Sequence, residues 1–492
     1  MEYSEFKELA ANYTTIPVYK KVTADMLTPV LAYLRIRKTH HYSFLLESVE
    51  GIGRLARYSF IGMDPIQIIE NRGMDITIRE NGKQKTIRQN LFEFLKNAIA
   101  TSASPKLDNL PDFTGGIVGY LGYENVALVE DVLAFQREAE FDSPDSLFGI
   151  YPTIIAFDHY KHQLLLIHNV RIDAQTDLSA VYHQAQHKLH GIWKQLIQPA
   201  TFPHPFRLVP GEADRHDRNT FYETVEKAKQ NIYDGEVFQI VLSRRFNQKY
   251  EGDLINVYRA LRIINPSPYM YFMELGADFT IIGTSPEDLL KVRSRTATIL
   301  PIAGTRKRGK TAEADSALEA DLLNDPKELA EHVMLVDLAR NDLGKISQID
   351  SVRIVEKMNV HRFSHVMHLV SRVEGQLKAG TDCIDALMAA FPAGTLTGAP
   401  KIRAMQLIES YETIRRNVYG GAIGYIDFNG NLDMCIAIRT LFARNKKIYW
   451  QAGAGIVADS HPESEWNEIE NKAAVLNAAL KYAEVIDEDI DH

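Results

Sequence analysis

Cysteine is almost absent: Cys383 and Cys435 are the only two in 492 residues. Two thiols cannot form a disulfide framework and lack the CxxC spacing of a zinc or redox site, so a reducing compartment is expected. No apolar run approaches the roughly 18 residues that a membrane-spanning helix needs. The N-terminus, Met1-Glu-Tyr-Ser-Glu-Phe-Lys-Glu8, places acids where a secretory leader needs a basic region and then an apolar stretch. A cytoplasmic location is the expectation. Basic charge is not in excess either: 55 Lys and Arg against 64 Asp and Glu leave a net −9, which favours neither nucleic acid nor a membrane surface as partner. Low-complexity tracts and fixed-period repeats are also missing.

What remains is an ordinary globular composition, 45% hydrophobic and 24% charged, in a chain long enough for about two to four domains. The clearest seam lies at 197–220, where Pro199, Pro203 and Pro205 precede the polar run Gly211-Glu-Ala-Asp-Arg-His-Asp-Arg-Asn219. It divides the chain into residues 1–200 and 215–486. Upstream, strand-like runs at Ile150–Phe157 and Gln163–His168 lead to a helix over 178–197. Downstream, a helix over 220–233 stops at Asp234-Gly235, and a strand follows from Val237. Asp325-Pro326-Lys327-Glu328 carries an N-cap, a first-turn proline and a capping-box acid, and predicts a helix to about Gly344. Strands are expected at Val352–His361 and His365–Glu374. Asn429-Gly430 predicts a hairpin turn between Tyr419–Phe428 and Asn431–Ala443, and a last helix runs from Pro462 to about Ile486. Hairpins and helices that do not alternate regularly with strands favour an α+β fold of mainly antiparallel sheets packed with helices.

Several motifs compete for the chemistry. Gly304-Thr-Arg-Lys-Arg-Gly309-Lys310-Thr311 matches the phosphate-cradling GxxxxGK[ST] pattern, but no βαβ alternation surrounds it. Gly51-Ile-Gly53-Arg-Leu-Ala56 matches a dinucleotide pattern, yet no helix signal follows. His361, His365 and His368 do not fall on one face of a strand, so at most one is expected to act. Glu328 and Glu331 lie three apart at the start of one expected helix, and Glu465 and Glu468 at the start of another. Each pair shares a helix face, and two such faces together would make an oxygen-only site suited to Mg²⁺. First-turn glutamates also favour the helix dipole, and spacing does not separate the two readings. The small-residue loops Pro392–Lys401 and Gly453-Ala454-Gly455 let backbone amides approach an anion, and Arg439 offers a bidentate clamp for a carboxylate.

Taken together, Ile282–Glu287, Pro301–Thr305, Asp325–Asp342, His365–His368, Pro392–Lys401, Arg439, Gly453–Gly455 and Glu465–Lys472 resemble the chorismate-utilising enzymes, most closely the large subunit of anthranilate synthases. The resemblance spans 220–486 and is looser upstream, at Leu45–Ser48, Arg57–Gly62 and Gly115–Tyr120. It implies a two-domain fold with an N-terminal regulatory part interleaved with a chorismate-binding catalytic part. It also implies Mg²⁺ held by Glu331 and Glu468, with Glu328 and Glu465 beside them or reached through water. Glu287, His368 and Thr395 become the catalytic candidates, and Tyr419, Arg439, Gly453, Ala454, Gly455 and Lys472 the substrate-binding ones.

Two positions sort the reaction within that family. Relatives that add water carry a lysine where this chain has Gln239, and a Gln amide cannot deprotonate water. Relatives that form a lysine adduct carry it at Ala303, which can form none. Direct attack by ammonia, giving anthranilate on the tryptophan pathway, is the implied reaction. An aminodeoxychorismate synthase and a non-catalytic chorismate- or tryptophan-binding protein are the alternatives. Neither cysteine sits in a nucleophile-elbow setting, so a separate glutamine amidotransferase subunit is expected to supply ammonia. The paired segments Leu45–Ser48 and Asn265–Met270 imply feedback inhibition by tryptophan, bound by Glu47, Ser48, Pro268, Tyr269, Met270 and Cys435.

Overall fold

The computed structural model describes residues 1–37, 41–48, 57–137, 142–200, 202–210, 217–362 and 366–488. Two twelve-stranded sheets organise them. The first runs Thr15–Thr23, Gln163–Arg171, Thr153–Asp158, Tyr58–Met63, Tyr42–Glu47, Tyr269–Leu275, Phe279–Ser285, Thr440–Arg444, Lys447–Ile456, Gln239–Glu251 and Arg207–Val209, with Gly398–Ala399 also on the Gln239 strand. The second runs Ile302–Lys307, Val366–Gln376, Thr296–Ile299, Asp288–Arg293, Leu432–Ile436, Ala422–Asp427, Gly116–Leu121, Ser146–Tyr151, Gln67–Arg72, Asp75–Glu80 and Lys83–Arg88, with Arg353–Arg362 on the Val366 strand. Both sheets take strands from either side of residue 200. Tyr42–Glu47 pairs antiparallel with Tyr269–Leu275 in one, and Gly116–Leu121 with Ala422–Asp427 in the other.

Strand alternation sorts the side chains into layers. Phe44, Tyr120, Tyr271, Ile281 and Cys435 fill the core between the sheets. Leu45, Phe272 and Ile282 face a helical layer that includes Leu261, Ile469 and Leu476. Leu290, Val292 and Met434 face another, with Val336, Ala339 and Leu387. The stack is helix, sheet, sheet, helix.

The helices form where expected, at Leu178–Leu196, Arg218–Tyr233, Pro326–Gly344 and Pro462–Glu484. Asp325 caps its helix by accepting from the Lys327 and Glu328 amides at 3.0 and 3.2 Å. Glu328 does not complete a reciprocal box; its carboxylate accepts from Arg306 instead. Three expected strands differ in extent. The run Ile150–Phe157 divides at Pro152 into Ser146–Tyr151 and Thr153–Asp158, since proline supplies no ladder donor. The Val237 strand begins at Gln239 and extends to Glu251. The run Asn431–Ala443 divides at Ala437–Arg439, where the chain leaves one sheet for the other, and Arg439 has φ +48°. Gly51–Ala56, His365 and the 211–216 part of the seam lie outside the described residues.

One buried network ties the two sides of residue 200 together. Glu124 accepts from the Arg416 and Asn417 amides at 2.7 and 3.0 Å, while the buried Arg416 guanidinium bonds Glu412, the Leu396 carbonyl and the Val241 carbonyl. Glu124→Ala leaves two buried amides without an acceptor. Urea unfolding should show a loss on the order of 3 kcal/mol, since hydrogen bonds to charged groups are worth about 1.5–3 kcal/mol each. A change under 1 kcal/mol would contradict this role.

Candidate functional site

The Gln239 strand lies beside Lys447–Ile456, with Val241 opposite Gly455 and Ser243 opposite Gly453. Gly453 is held to glycine by backbone, and Gly455 leaves room for the Gln239 side chain. A Cβ at Gly453 would fall 2.7 Å from the Tyr419 hydroxyl and 2.9 Å from the Leu242 carbonyl, and one at Gly455 2.4 Å from the Gln239 amide nitrogen. The space so left open belongs to a cavity of about 1250 Å³. Into it converge Glu287, Thr395, Tyr419 and Arg439 with His368, Glu331, Glu465, Glu468 and Lys472, together with Gln239, Ala303 and Pro268.

Glu287 ends the bend after Phe279–Ser285 and accepts a hydrogen bond from the Thr395 hydroxyl at 3.1 Å. Withdrawal from water pushes its carboxyl up to about 7, against the opposing pull of that hydrogen bond, Lys472 and Arg439. A carboxylic acid tuned to neutral pH is suited to giving up a proton. Arg439 donates to the Asn265 side chain at 3.3 Å. Burial holds its guanidinium below the usual range, although Glu287 opposes this.

His368 lies on Val366–Gln376, opposite Thr305. Its Nδ1 is 3.1 Å from the Gly304 carbonyl and 3.0 Å from the Thr305 hydroxyl. A carbonyl only accepts, so this contact assigns the proton to Nδ1 and leaves Nε2 as the basic nitrogen. Burial, with Arg439 adding to it, keeps the imidazole pKa below the ordinary histidine value, and the Gly304 bond opposes the shift.

The glutamates of the two helices face one cavity wall. Withdrawal from bulk water and then the Glu328 and Glu468 charges raise Glu331; withdrawal and Glu468 likewise raise Glu465. Lys472 bridges Glu468 at 2.7 Å and the Gly453 carbonyl at 2.9 Å. Among the described residues no three acid, histidine or cysteine side chains already converge as a closed ligand set. Glu328 does not line the cavity, and Ala454 is fully buried in the helix-facing core, on the opposite side of its strand from the two glycines.

The segments singled out for an inhibitor also meet. Glu47 and Met270 are direct partners across two strands. Glu47 accepts from Tyr258 and, at 3.4 Å, from Ser59, while the buried Ser48 hydroxyl has no partner among the described residues. Tyr269 donates to Asp433 at 2.8 Å and shares the inter-sheet core with Cys435, whereas Met270 points to the other face. Pro268 lies on the large cavity.

Among the cavity groups given no role from the sequence are Lys327, one turn before Glu331, and Asn265, which steadies Arg439. Both stand inside segments already singled out, but only the fold shows which way they face. The phosphate-loop pattern is accounted for differently. Gly304, at φ +65°, occupies a bulge in Ile302–Lys307, the Gly309 amide donates to Asp315, and Thr311 caps the next helix.

Comparison with known proteins agrees with this geometry. The profile of the chorismate binding enzyme family matches residues 56–478. Anthranilate synthase component 1 of Acetivibrio thermocellus is 42% identical over 488 residues, covering 97% of this chain and 98% of that one. The crystal structure of anthranilate synthase component I from Streptococcus pneumoniae superposes with a TM-score of 0.73 at 38% identity, over 93% of this chain and 99% of that one. The menaquinone-specific isochorismate synthase of Escherichia coli shares the fold, with a TM-score of 0.71 at 18% identity over 97% and 98%. With a family profile spanning most of its length and relatives alike from end to end, this chain belongs to the chorismate binding enzyme family.

Proposed function

We propose that this chain is the large subunit of an anthranilate synthase, aminating chorismate at C2 with ammonia and then eliminating pyruvate. The observation that carries the reading is one cavity in which Glu287, His368, Arg439 and two glutamate-bearing helices meet; Gln239 and Ala303 also line it, and the resemblance implies lysines at these positions in the water-adding and adduct-forming relatives. Ammonia adds at C2, the ring double bonds shift, and the C4 hydroxyl departs as water with a proton from Glu287. His368 Nε2 then takes the C2 proton, the enolpyruvyl C–O bond breaks as the ring becomes aromatic, and the departing enolate takes up a proton at its methylene carbon to become pyruvate. Arg439, Tyr419 and Lys472 hold substrate carboxylates, with the backbone of Gly453–Gly455 close by.

The donor set fits magnesium. Glu331, Glu465 and Glu468 offer only carboxylate oxygens, and withdrawal from water together with neighbouring carboxylate charge raises the proton affinity of Glu331 and Glu465, a strain that a bound cation would relieve. Glu331 and Glu468 would hold the ion, with Glu465 beside them. When bound, Mg²⁺ supplies charge neutralisation for a substrate carboxylate.

Residues 1–200 are assigned to regulation and 215–486 to catalysis. The component 1 designation of the relatives supports a second subunit, here a glutamine amidotransferase that delivers ammonia. No described helix is long and apolar enough to cross a membrane, in keeping with a cytoplasmic enzyme. Tryptophan is assigned to the Glu47–Met270 strand pair, where the unpartnered Ser48 hydroxyl can meet its polar end.

Purified chain given chorismate, Mg²⁺ and ammonium should form fluorescent anthranilate and release pyruvate in equal amounts; accumulation of aminodeoxychorismate without pyruvate would refute the assignment. At constant free NH₃, kcat/KM for chorismate should fall above about pH 7 as Glu287 loses its proton. Glu287→Gln should remove that limb and lower kcat at least about a hundredfold, the usual scale for acid catalysis. A wild-type profile flat from pH 6 to 9 would reject Glu287 as the acid. Tryptophan should inhibit the same assay, and Ser48→Phe should relieve inhibition with turnover retained. Indifference of the unmutated chain to millimolar tryptophan would rule the inhibitor site out.

A further inference from the structure

The basic loop that imitates a phosphate cradle is occupied by carboxylates. Arg306 binds three at once: Asp321 through Nε at 2.7 Å, Asp325 through Nη2 at 2.8 Å and Glu328 through Nη1 at 3.3 Å, with Nη1 also 3.1 Å from the Thr305 carbonyl. Asp321 closes the helix Ala312–Asn324, and Asp325 is the N-cap of Pro326–Gly344. Asp325 uses one oxygen for the helix amides and the other for Arg306. Arg308 adds a second tie, binding Asp315 through Nε at 3.0 Å and Nη2 at 2.7 Å.

Exposed ion pairs contribute little to stability, but Arg306 is only 21% exposed and faces three anions that would otherwise repel one another at a helix start. Its position matters more than its strength. Immediately before it in the strand, Gly304 and Thr305 hold the Nδ1 of His368. About one helical turn after its Glu328 contact stands Glu331, on the cavity wall.

We propose that Arg306 is a positioning residue that sets the glutamate wall of the cavity against its histidine, and that Glu328 serves this clamp and is not itself a metal ligand. The role rests on the functional reading above, in which Glu331 holds Mg²⁺ and His368 moves a proton. Lysine cannot replace it fully, because one ammonium lacks the planar fork that reaches three carboxylates from one side chain.

The test is a double-mutant cycle on the full chain, Arg306→Gln, Glu328→Gln and both together, read by calorimetric titration with Mg²⁺ alone and by chorismate kinetics. Arg306→Gln should weaken Mg²⁺ binding at least about tenfold, the lower end for groups that orient a metal ligand. It should lower kcat with KM for chorismate nearly unchanged, and Arg306→Lys should recover part of both. Glu328→Gln should add little once Arg306 is gone. Equal loss of Mg²⁺ affinity from Glu328→Gln on both backgrounds would make Glu328 a ligand and overturn the proposal, as would unaltered Mg²⁺ binding in Arg306→Gln. If Arg306→Gln does not fold, Asp321→Asn removes one contact of three and should move Mg²⁺ affinity in the same direction, with no shift counting against the clamp. Absence of anthranilate from the unmutated chain would defeat the reading of its function, while the calorimetric cycle would still decide the clamp.

Discussion

Glutamates from two helices share one partly desolvated wall, and like charges so placed push the helices apart. Each helix is therefore fastened from behind by an arginine. Arg244, on the Gln239 strand, lies 3.4 Å from the centroid of the Trp466 ring and pairs with Glu470 at 2.8 Å, which fixes the helix carrying Glu465 and Glu468. A desolvated cation–π contact is worth about 2 kcal/mol, and here it is also directional, so it resists rotation of the helix as well as separation. The opposite helix has Arg306 at its cap. The glutamate wall is held by cations in the scaffold behind it as well as by Lys472 within the cavity.

The same logic separates neighbouring acids. Glu287 and Asp288 are adjacent in sequence, yet one lines the cavity and the other sits near Lys291, Asp433 and Tyr269 in the sheet region. Both are raised by burial, Glu287 to about 7 and Asp288 to about 6. Glu287 accepts a hydrogen bond from the Thr395 hydroxyl, whereas Asp288 Oδ2 has no partner among the described residues. A single step along an extended chain thus moves an acid from the cavity wall into the sheet region.

Much of this was legible in the sequence wherever the signal is local. Asp325-Pro326 marks a helix start, Asn429-Gly430 joins Ala422–Asp427 to Leu432–Ile436, and the paired glutamates occupy the first two turns of their expected helices. Sheet membership was not legible, because it is decided by partners far away in the chain. Arg439 reads as one more strand residue but stands at a φ of +48° where the backbone changes sheets, and that crossing is what brings it beside Glu287. Glu328 and Glu331 look equivalent by spacing. The structure distinguishes them by what waits on each side, Arg306 for one and the cavity for the other.

The interleaving of the two sheets has a consequence for the order of events during synthesis. Tyr42–Glu47 emerges early, but its neighbour Tyr269–Leu275 comes much later, and Gly116–Leu121 must wait for Ala422–Asp427. Domains generally fold as units as they leave the ribosome, N-terminal part first, and long-range strand pairing is slow because the loop must close before contacts form. Here the first two hundred residues hold strand edges open until Ala422–Asp427 and the sequence before it have been made. The nascent chain is thus the most aggregation-exposed form of this protein, and its protection falls to whatever binds bare strand edges in the cell.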